Sequence, residues 1–183
     1  MGRLSLRTWV LIAVIAFFGW WQFGRAPATA VDAESEGYRI TELAPYTETI
    51  RVLSLRKYHF GRESDLSPLD IAAGWGPMAD PAIYSKFEIS QNGRWYHWHA
   101  DVFPIPRRDV ETHSANIHIV PADPGIASQL SRLHRDDLVR ISGSLIQVNT
   151  ADGWFWKSSL SREDTGQGAC ELLLLKDIRW VGG

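Results

Sequence analysis

The stretch that most constrains the fold of this chain runs from residue 116 to residue 148. Its first part, residues 117–120, alternates as a short strand does, and Asp123 then supplies a cap for a helix. Residues 138–148 alternate again, with Gly143 at a point where a strand would bend. The apolar residues between the two strands recur at the spacing of one helical face: Ile126, Leu130 and Leu133. The stretch therefore predicts a strand, a short helix and a second strand.

Two dipeptides predict the turns of β-hairpins. Asn92-Gly93 lies within the run 83–101, and Asn-Gly is a strong signal for a two-residue hairpin turn. Asp152-Gly153 predicts a second hairpin, in which residues 154–157 pair back on residues 147–150. The core face of the first hairpin is predicted to hold four apolar side chains: Phe87, Ile89, Tyr96 and Trp98.

The remaining segments give shorter elements. A Ser-Pro start and a closing Gly74 predict a helix of one to two turns within residues 66–78. Residues 103–112 contain two prolines and an arginine pair, and they predict a loop. Strands are predicted around residues 50–59 and over residues 171–181.

The N-terminal segment, residues 1–25, predicts an uncleaved membrane anchor. Residues 8–24 carry no charge, which is the short end of the roughly 17–25 residues that span a bilayer. Trp20-Trp21 would lie at the headgroup level. The alternative is a cleaved signal peptide, because Ala28-Thr29-Ala30 matches a small-x-small cleavage pattern. In both cases the positive charges keep Met1 in the cytoplasm and place the rest outside it, in the periplasm of a Gram-negative cell.

The chain after the anchor predicts one domain. Residues 26–48 are expected to be a linker, and residues 49–183 a single β-barrel domain. Cys170 is the only cysteine, so an intrachain disulfide is excluded, and a buried thiol is favoured over a nucleophile. The formal charge is −2 for the whole chain. A nucleic-acid partner is therefore not expected, because such partners require a basic surface.

The order of elements resembles the OB-fold, a small Greek-key barrel in which a helix lies between the third and fourth strands. The segments that carry this resemblance are residues 117–120, 126–133, 137–148 and 172–181, and more loosely the hairpin 83–101. The resemblance implies a mainly β domain with short helices, to which the N-terminal hydrophobic helix is added.

Two other segments are similar to uncharacterised exported bacterial proteins. The first reads Ser67-Pro68-Leu69-Asp70 and continues to Gly74-Trp75-Gly76. The second begins at Ser158 and ends with Gly168-Ala169-Cys170-Glu171. This similarity implies export but brings no function.

One group of side chains would suit a metal ion. His97, His99 and Asp101 share a strand face, and His113 or His118 would complete a shell of nitrogen and oxygen ligands for zinc or copper. Alternate residues on a strand spread over about 13 Å, so the first three cannot converge on one ion by themselves. The competing interpretation is a polar outer face.

The aromatic hairpin predicts a binding surface. Trp154 and Trp156 lie on one face and Phe155 on the other, while Trp95 lies on the outer face of the first hairpin. Exposed aromatic rings form surfaces that bind sugars, peptides or proteins. The alternative is that the second hairpin folds over the barrel as a lid.

These patterns predict a membrane-anchored, exported binding or scaffold module of the cell envelope, without catalysis of its own and without a cofactor. Its expected partners are the membrane, through the N-terminal helix, and an envelope protein or small ligand. Ser158, Ser159 and Ser161 lie near Lys157, but they show neither the Ser-x-x-Lys order nor the Gly-x-Ser-x-Gly elbow of a serine hydrolase. The alternative function is a metal-dependent hydrolase that uses the His/Asp group.

Overall fold

A computed structural model describes residues 37–161 and 170–182 of the chain. The strands are β1 (Tyr38–Lys57), β2 (Leu69–Gly74), β3 (Glu88–Asn92), β4 (Trp95–His99), β5 (Ser114–Pro121), β6 (Leu138–Thr150), β7 (Phe155–Lys157) and β8 (Glu171–Trp180). The helices are short: α1 (Arg62–Leu66), α2 (Pro81–Tyr84), α3 (Arg107–Thr112), α4 (Pro124–Leu130) and a 3-10 turn at Gly76–Ala79. The predicted anchor, residues 1–25, lies outside the described residues.

Five strands close into a barrel. Their order is β1-β2-β5-β8-β6, and β6 pairs back on β1. The β5–β8 pair is parallel, and the other pairs of the barrel are antiparallel. Helix α4 lies between β5 and β6, which are the third and fourth barrel strands in chain order. This confirms a mainly β, OB-like domain with short helices.

Strand β1 is longer than the sequence predicts. It pairs with β6 from Tyr38 to Arg51, and with β2 from Arg51 onward. The prediction that residues 26–48 form a linker is therefore wrong for residues 38–48. Shifts in register, between Glu42 and Ala44 and again between Val52 and Ser54, interrupt the alternation that would have marked one long strand.

Gly143 permits the closure of the barrel, as predicted. The pairing of β6 with β8 changes register between Ser142 and Gly143. A Cβ atom at Gly143 would overlap the carbonyl oxygen of Leu174, so only glycine allows the two backbones to approach this closely.

The barrel interior holds the main hydrophobic core. Alternate residues of every barrel strand point into it, and helix α4 covers it with Ile126 and Leu130. Among the core residues are Ile50, Val52, Ile71, Ile117, Ile119, Val139, Ile141, Leu173 and Leu175. Asp123 caps α4 as predicted, because its carboxylate accepts a hydrogen bond from the amide of Ile126 at 2.9 Å.

Segments inserted between the barrel strands cover part of its outer face. The β3–β4 hairpin and helices α2 and α3 enclose a second apolar cluster, which includes Leu53, Ala72, Met78, Phe87 and Val110. Helix α1 and strand β7 enclose a third cluster, which includes Leu66, Val120, Ile146, Val148 and Leu172. Within the described residues, no helix is long and apolar enough to cross a membrane.

The helix predicted within residues 66–78 is instead strand β2. Its residues pair with β1 on one side and with β5 on the other. Leu69, Ile71 and Ala73 point into the barrel, which is the two-residue period of a strand. The backbone pairing on both sides outweighs the local Ser-Pro signal. Conversely, the loop predicted over residues 103–112 contains helix α3.

The first hairpin turns one residue later than predicted. Asn92 pairs with Trp95, so Gly93 and Arg94 form the turn. Both have positive φ, at 57° and 70°, as a type I′ turn requires. The predicted core face is confirmed, since Phe87, Ile89, Tyr96 and Trp98 all belong to the second apolar cluster or pack against it. The second hairpin, with Trp156 opposite Val148, forms as predicted.

Candidate functional site

A buried polar cluster lies on the outer face of the barrel, beneath the tip of the β3–β4 hairpin. Asp70 on β2 and His118 on β5 are directly paired in the sheet. Their neighbours Ile71 and Ile117 point into the core, so alternation turns these polar side chains outward. Because Asp70 is completely buried, its charge must be balanced by partners within the protein.

Three side chains surround the carboxylate of Asp70. Nη1 of Arg94 lies 2.7 Å from Oδ1, and Nδ1 of His118 lies 2.9 Å from the same oxygen. Nδ2 of Asn116 donates to Oδ2 at 3.2 Å. Both carboxylate oxygens therefore have donors, which is the condition under which a buried ion pair is tolerated.

Arg94 reaches this carboxylate from the turn of the hairpin. Its Nη1 also donates to the carbonyl oxygen of Ser67 at 2.9 Å, and its Nη2 donates to Oγ of Ser64 at 3.3 Å. Its guanidinium carbon lies 3.8 Å from the ring centre of Tyr58 and 5.7 Å from that of Trp156. The pocket thus presents a carboxylate, a carbonyl and a hydroxyl to the two Nη atoms of the guanidinium, and aromatic rings to its flat surface.

The backbone of the hairpin tip is fixed by the same cluster. The amide of Arg94 donates to the hydroxyl of Tyr58 at 3.0 Å, and the carbonyl of Arg94 accepts from Nδ2 of Asn116 at 3.1 Å. A non-glycine residue at positive φ is unfavourable by roughly 1 kcal/mol or more. These contacts offset that cost and place the turn at Gly93-Arg94.

Gln91 leaves one buried polar atom unsatisfied. Its Nε2 donates to Oδ1 of Asn116 at 2.8 Å. The side-chain amide of Asn116 is itself held in one orientation, because its Nδ2 donates to Asp70 and to the carbonyl of Arg94. Gln91 is 7% exposed, and within the described part of the chain its Oε1 has no hydrogen-bond partner. A buried acceptor without a hydrogen bond costs about 1–3 kcal/mol, so one polar group remains uncompensated where the hairpin tip packs on the barrel.

His118 is held in one orientation. Its Nδ1 lies against Asp70, and its ring centre lies 4.8 Å from that of Trp156 at an interplanar angle of 49°. A carboxylate beside Nδ1 is also the arrangement that orients a catalytic imidazole. The side chain is only 3% exposed, however, so no substrate reaches the ring in this conformation.

A series of cationic and aromatic side chains continues from the cluster to the second hairpin. The rings of Trp156 and Trp154 lie 6.3 Å apart, and the guanidinium carbon of Arg62 lies 5.4 Å from the Trp154 ring centre. Arg62 also pairs with Asp152 at 2.7 Å. Hydrogen bonds from Thr150 and from Arg62 lower the pKa of Asp152 to about 2.

The tryptophans predicted to form a binding surface are placed differently from one another. Trp154 and Trp156 are half-buried and point toward the barrel, where they pack against the third apolar cluster. Phe155 points away and is 65% exposed, and Trp95 on the first hairpin is 37% exposed. The structure therefore favours the lid interpretation for Trp154 and Trp156, and the exposed ring of that hairpin is Phe155.

The predicted metal ligands do not come together. His99 and Asp101 are both exposed, with 3.5 Å between Nε2 and Oδ1, and His97 is exposed opposite Ser90. His118 is buried against Asp70 instead. Across residues 37–161 and 170–182, no group of three or more His, Cys, Asp or Glu side chains is placed to hold a metal ion. The predicted group of His97, His99, Asp101 and His118 is therefore not a site in this structure, because His97 and His99 spread along the exposed face of β4, and Asp101 lies beyond its end.

Tyr96 lies at the other side of the polar cluster. Its hydroxyl and Oγ of Ser114 share a hydrogen bond of 2.6 Å, and burial raises the pKa of Tyr96 to about 12. Cys170 is partly buried, and its backbone carbonyl accepts from the amide of Ser159 at 3.1 Å.

Sequence reasoning missed the cluster of Asp70, Arg94 and Asn116, although one signal was present. Asp70 stands between Leu69 and Ile71, and Asn116 and His118 alternate with isoleucines. Polar residues at every second position of an apolar strand indicate a second, polar face. The sequence does not show that this face is covered, because the cover comes from a hairpin distant in sequence.

Fold and site together define an OB-like barrel whose outer face is covered by its own inserted segments. No family model matches the chain, and no curated protein matches it. Among solved structures it is similar to the mitochondrial single-stranded DNA-binding protein Rim1 of S. cerevisiae, with 12% sequence identity and a TM-score of 0.30. The match covers 77% of this chain and 97% of the other.

The similar structure is that of a single-stranded DNA-binding protein, and the prediction that nucleic acid is not a partner is withdrawn. The physical reason is that net charge describes the whole chain, whereas single strands are held by local strips of basic and aromatic side chains. A likeness at this TM-score carries no conclusion about what the present chain binds. The similarity to exported bacterial proteins finds no support in these comparisons.

Proposed function

We propose that this chain is a non-catalytic binding or scaffold module, exported to the cell envelope and held at the membrane by residues 1–25. The observation that carries the binding role is the distribution of exposed apolar side chains. Within the described residues, six of them lie on segments inserted into the barrel: Phe60, Trp95, Val102, Phe103, Phe155 and Leu160. We take these inserted segments as the interaction surface, because exposed apolar area on a globular domain marks sites of interaction where it forms a patch.

Phe60 and Phe155 belong to the same end of the molecule. The ion pair between Arg62 and Asp152 holds the loop that contains Phe60 beside the turn that precedes β7. Phe60 is 76% exposed and Phe155 is 65% exposed. Large exposed rings held on tied-down loops are the kind of anchor that protein interfaces use, because little side-chain freedom is lost on binding.

A triple variant tests this surface. Phe60→Ser, Phe155→Ser and Leu160→Ser remove three apolar side chains that lie outside the apolar clusters, so the fold should remain intact. A matched control replaces two apolar residues at the end of β8, Trp180→Ser and Val181→Ser, which are 38% and 43% exposed. We expect capture of envelope proteins by the tagged full chain to be lost in the triple variant and kept in the control.

Two results would contradict this proposal. Equal capture by the triple variant and the intact chain, with identical circular dichroism, would remove the surface from the binding role. If the intact chain is retained on single-stranded DNA and captures no protein, the partner is a nucleic acid and not a protein.

The location has its own test. An alkaline phosphatase fused to the C-terminus is active only outside the cytoplasm, so we expect activity from this fusion. Mass spectrometry of the protein from membranes should find residues 1–30 still attached. A mature chain that starts at Val31 would overturn the anchor and favour a cleaved signal peptide.

A further inference from the structure

The pocket around Asp70 has the chemistry of a receptor for a guanidinium group. It offers the carboxylate of Asp70, the carbonyl of Ser67 and the hydroxyl of Ser64 to the fork, and the ring of Tyr58 to its face. Asp70 and Ser67 are completely buried, and Ser64 is 7% exposed. These groups lie on elements of the barrel and on its first loop, so the pocket is complete without the hairpin that fills it.

The hairpin is fastened differently at its base and at its tip. Near the base, Phe87, Ile89 and Trp98 pack into the second apolar cluster. At the tip, the contacts are the hydrogen bonds and ion pair of Arg94, the stacking of its guanidinium on Tyr58, and the amide of Gln91. Polar contacts exchange with water and with other donors more readily than apolar packing does. The tip is therefore the part that can separate while the base stays in place.

One feature makes the contact of the hairpin tip with the barrel less favourable than its hydrogen bonds imply. The buried Oε1 of Gln91 has no hydrogen-bond partner in the described part of the chain, and lifting the tip would return it to water. The pocket also lies on the outer face of the second and third barrel strands, which is the face that OB-folds use for ligands.

We propose that the Asp70 pocket is a guanidinium-binding site, filled here by Arg94 of the same chain, and that an arginine side chain of a partner protein replaces Arg94 when the hairpin tip lifts. This rests on the proposed binding role and names the chemistry of its ligand. Arg94 competes with the partner's arginine for the pocket, so only a partner that presents an arginine can displace it and bind.

The first experiment asks whether the pocket accepts the small ligand. Arg94→Ala in the full chain, kept in detergent, empties the pocket, and methylguanidinium is then titrated during thermal unfolding. We expect the melting temperature of this variant to rise by several degrees with methylguanidinium and to stay unchanged with methylammonium, which lacks the planar fork. Arg62→Ala is the matched control, because it removes an arginine without opening this pocket and should show no rise.

A second measurement covers the case in which Arg94→Ala does not fold. The refolding yield of that variant is then compared with and without methylguanidinium, and we expect recovery with methylguanidinium alone. If methylguanidinium causes no rise in melting temperature and no gain in refolding yield, the assignment of the pocket is overturned. Adding Asp70→Asn should abolish the response, and a response that survives this change would also overturn the assignment.

The last experiment asks whether the exchange occurs. A labelled peptide Gly-Gly-Arg-Gly-Gly, with blocked ends, should bind Arg94→Ala at least tenfold more tightly than it binds the intact chain, and a lysine peptide should bind neither. Binding to the variant with none to the intact chain at any concentration would show that Arg94 does not exchange, and would overturn the partner step. The triple surface variant should keep the methylguanidinium response of Arg94→Ala, so failure of the surface proposal is distinguishable from failure of this one.

Discussion

Nη1 of Arg94 lies 2.7 Å from Oδ1 of Asp70, and this ion pair joins the tip of an inserted hairpin to a completely buried carboxylate of the barrel. The contact links residues that are 24 positions apart in the chain. It holds the turn of the hairpin against the barrel and covers the carboxylate of Asp70.

Asp70→Asn should destabilise the protein by about 3–5 kcal/mol, because it leaves the charge of Arg94 buried without a partner. Urea unfolding followed by tryptophan fluorescence measures this change. Asp152→Asn is the control, since that carboxylate pairs with Arg62 at the surface and its loss should have a much smaller effect. Equal effects of the two substitutions would contradict the role of Asp70 as the centre of the cluster.

Gly143→Ala should cost about 3 kcal/mol or more, because the added methyl group would overlap the backbone of Leu174 and no side-chain rotation relieves that overlap. Gly93→Ala is a matched substitution at a glycine with open space around it and a φ of 57°. We expect it to cost only about 1 kcal/mol, from the backbone conformation alone. Thermal unfolding of both variants ranks the two effects, and a milder loss at Gly143 would show that β6 and β8 can separate there.

Trp156→Ala and Phe155→Ala should separate the two faces of the second hairpin. The first removes the ring that covers His118, and we expect it to destabilise the protein by about 2 kcal/mol, less than a fully buried tryptophan. The second removes an exposed ring and should change stability by no more than about 0.5 kcal/mol. NMR of the His118 ring should show faster exchange with solvent in Trp156→Ala only. An unchanged exchange rate would contradict the lid.

The stability of the protein should fall as the pH rises from about 10 to about 12. Burial raises the pKa of Tyr96 to about 12, whereas a tyrosine in the unfolded chain ionises near 10. In that window the unfolded state releases a proton that the folded state keeps, so each pH unit removes up to about 1.4 kcal/mol. Below pH 10 the contribution is fully present.

Tyr96→Phe should reduce the loss of stability per pH unit above pH 10 without abolishing it, because burial also raises the pKa of Tyr58 and that of Tyr84. Urea midpoints measured at several alkaline pH values give the slope. An identical pH dependence in Tyr96→Phe would show that Tyr96 ionises at its ordinary pKa.

Local patterns predicted several elements correctly because the physics that forms them is local. Asp123 caps helix α4 with its own side chain, and the Asp152-Gly153 turn fixes the second hairpin. The glycine bend at Gly143 was also readable, since a glycine within an alternating strand indicates a bulge. These signals were enough for a mainly β domain of OB-like type.

The same kind of reasoning failed where a distant partner decides the structure. The residues of β2 form a strand and not a helix, because β1 and β5 supply hydrogen bonds on both sides. The first hairpin turns at Gly93-Arg94 and not at Asn92-Gly93, because the pocket around Asp70 holds the Arg94 side chain. The strands that flank β2 and the pocket that holds Arg94 are both distant in sequence, so a pattern of neighbouring residues does not show them.

By itself, then, the sequence determined the alternation, caps and turns, which depend on neighbouring residues, and hence the class of the domain. Only the tertiary structure decided the register of the first hairpin, the inward direction of Trp154 and Trp156, and the meeting of Asp70, Arg94 and His118. The reason is that a buried charge is stable only where several donors converge on it, and the pairing of β2 with β5 and the docking of the inserted hairpin bring those donors together.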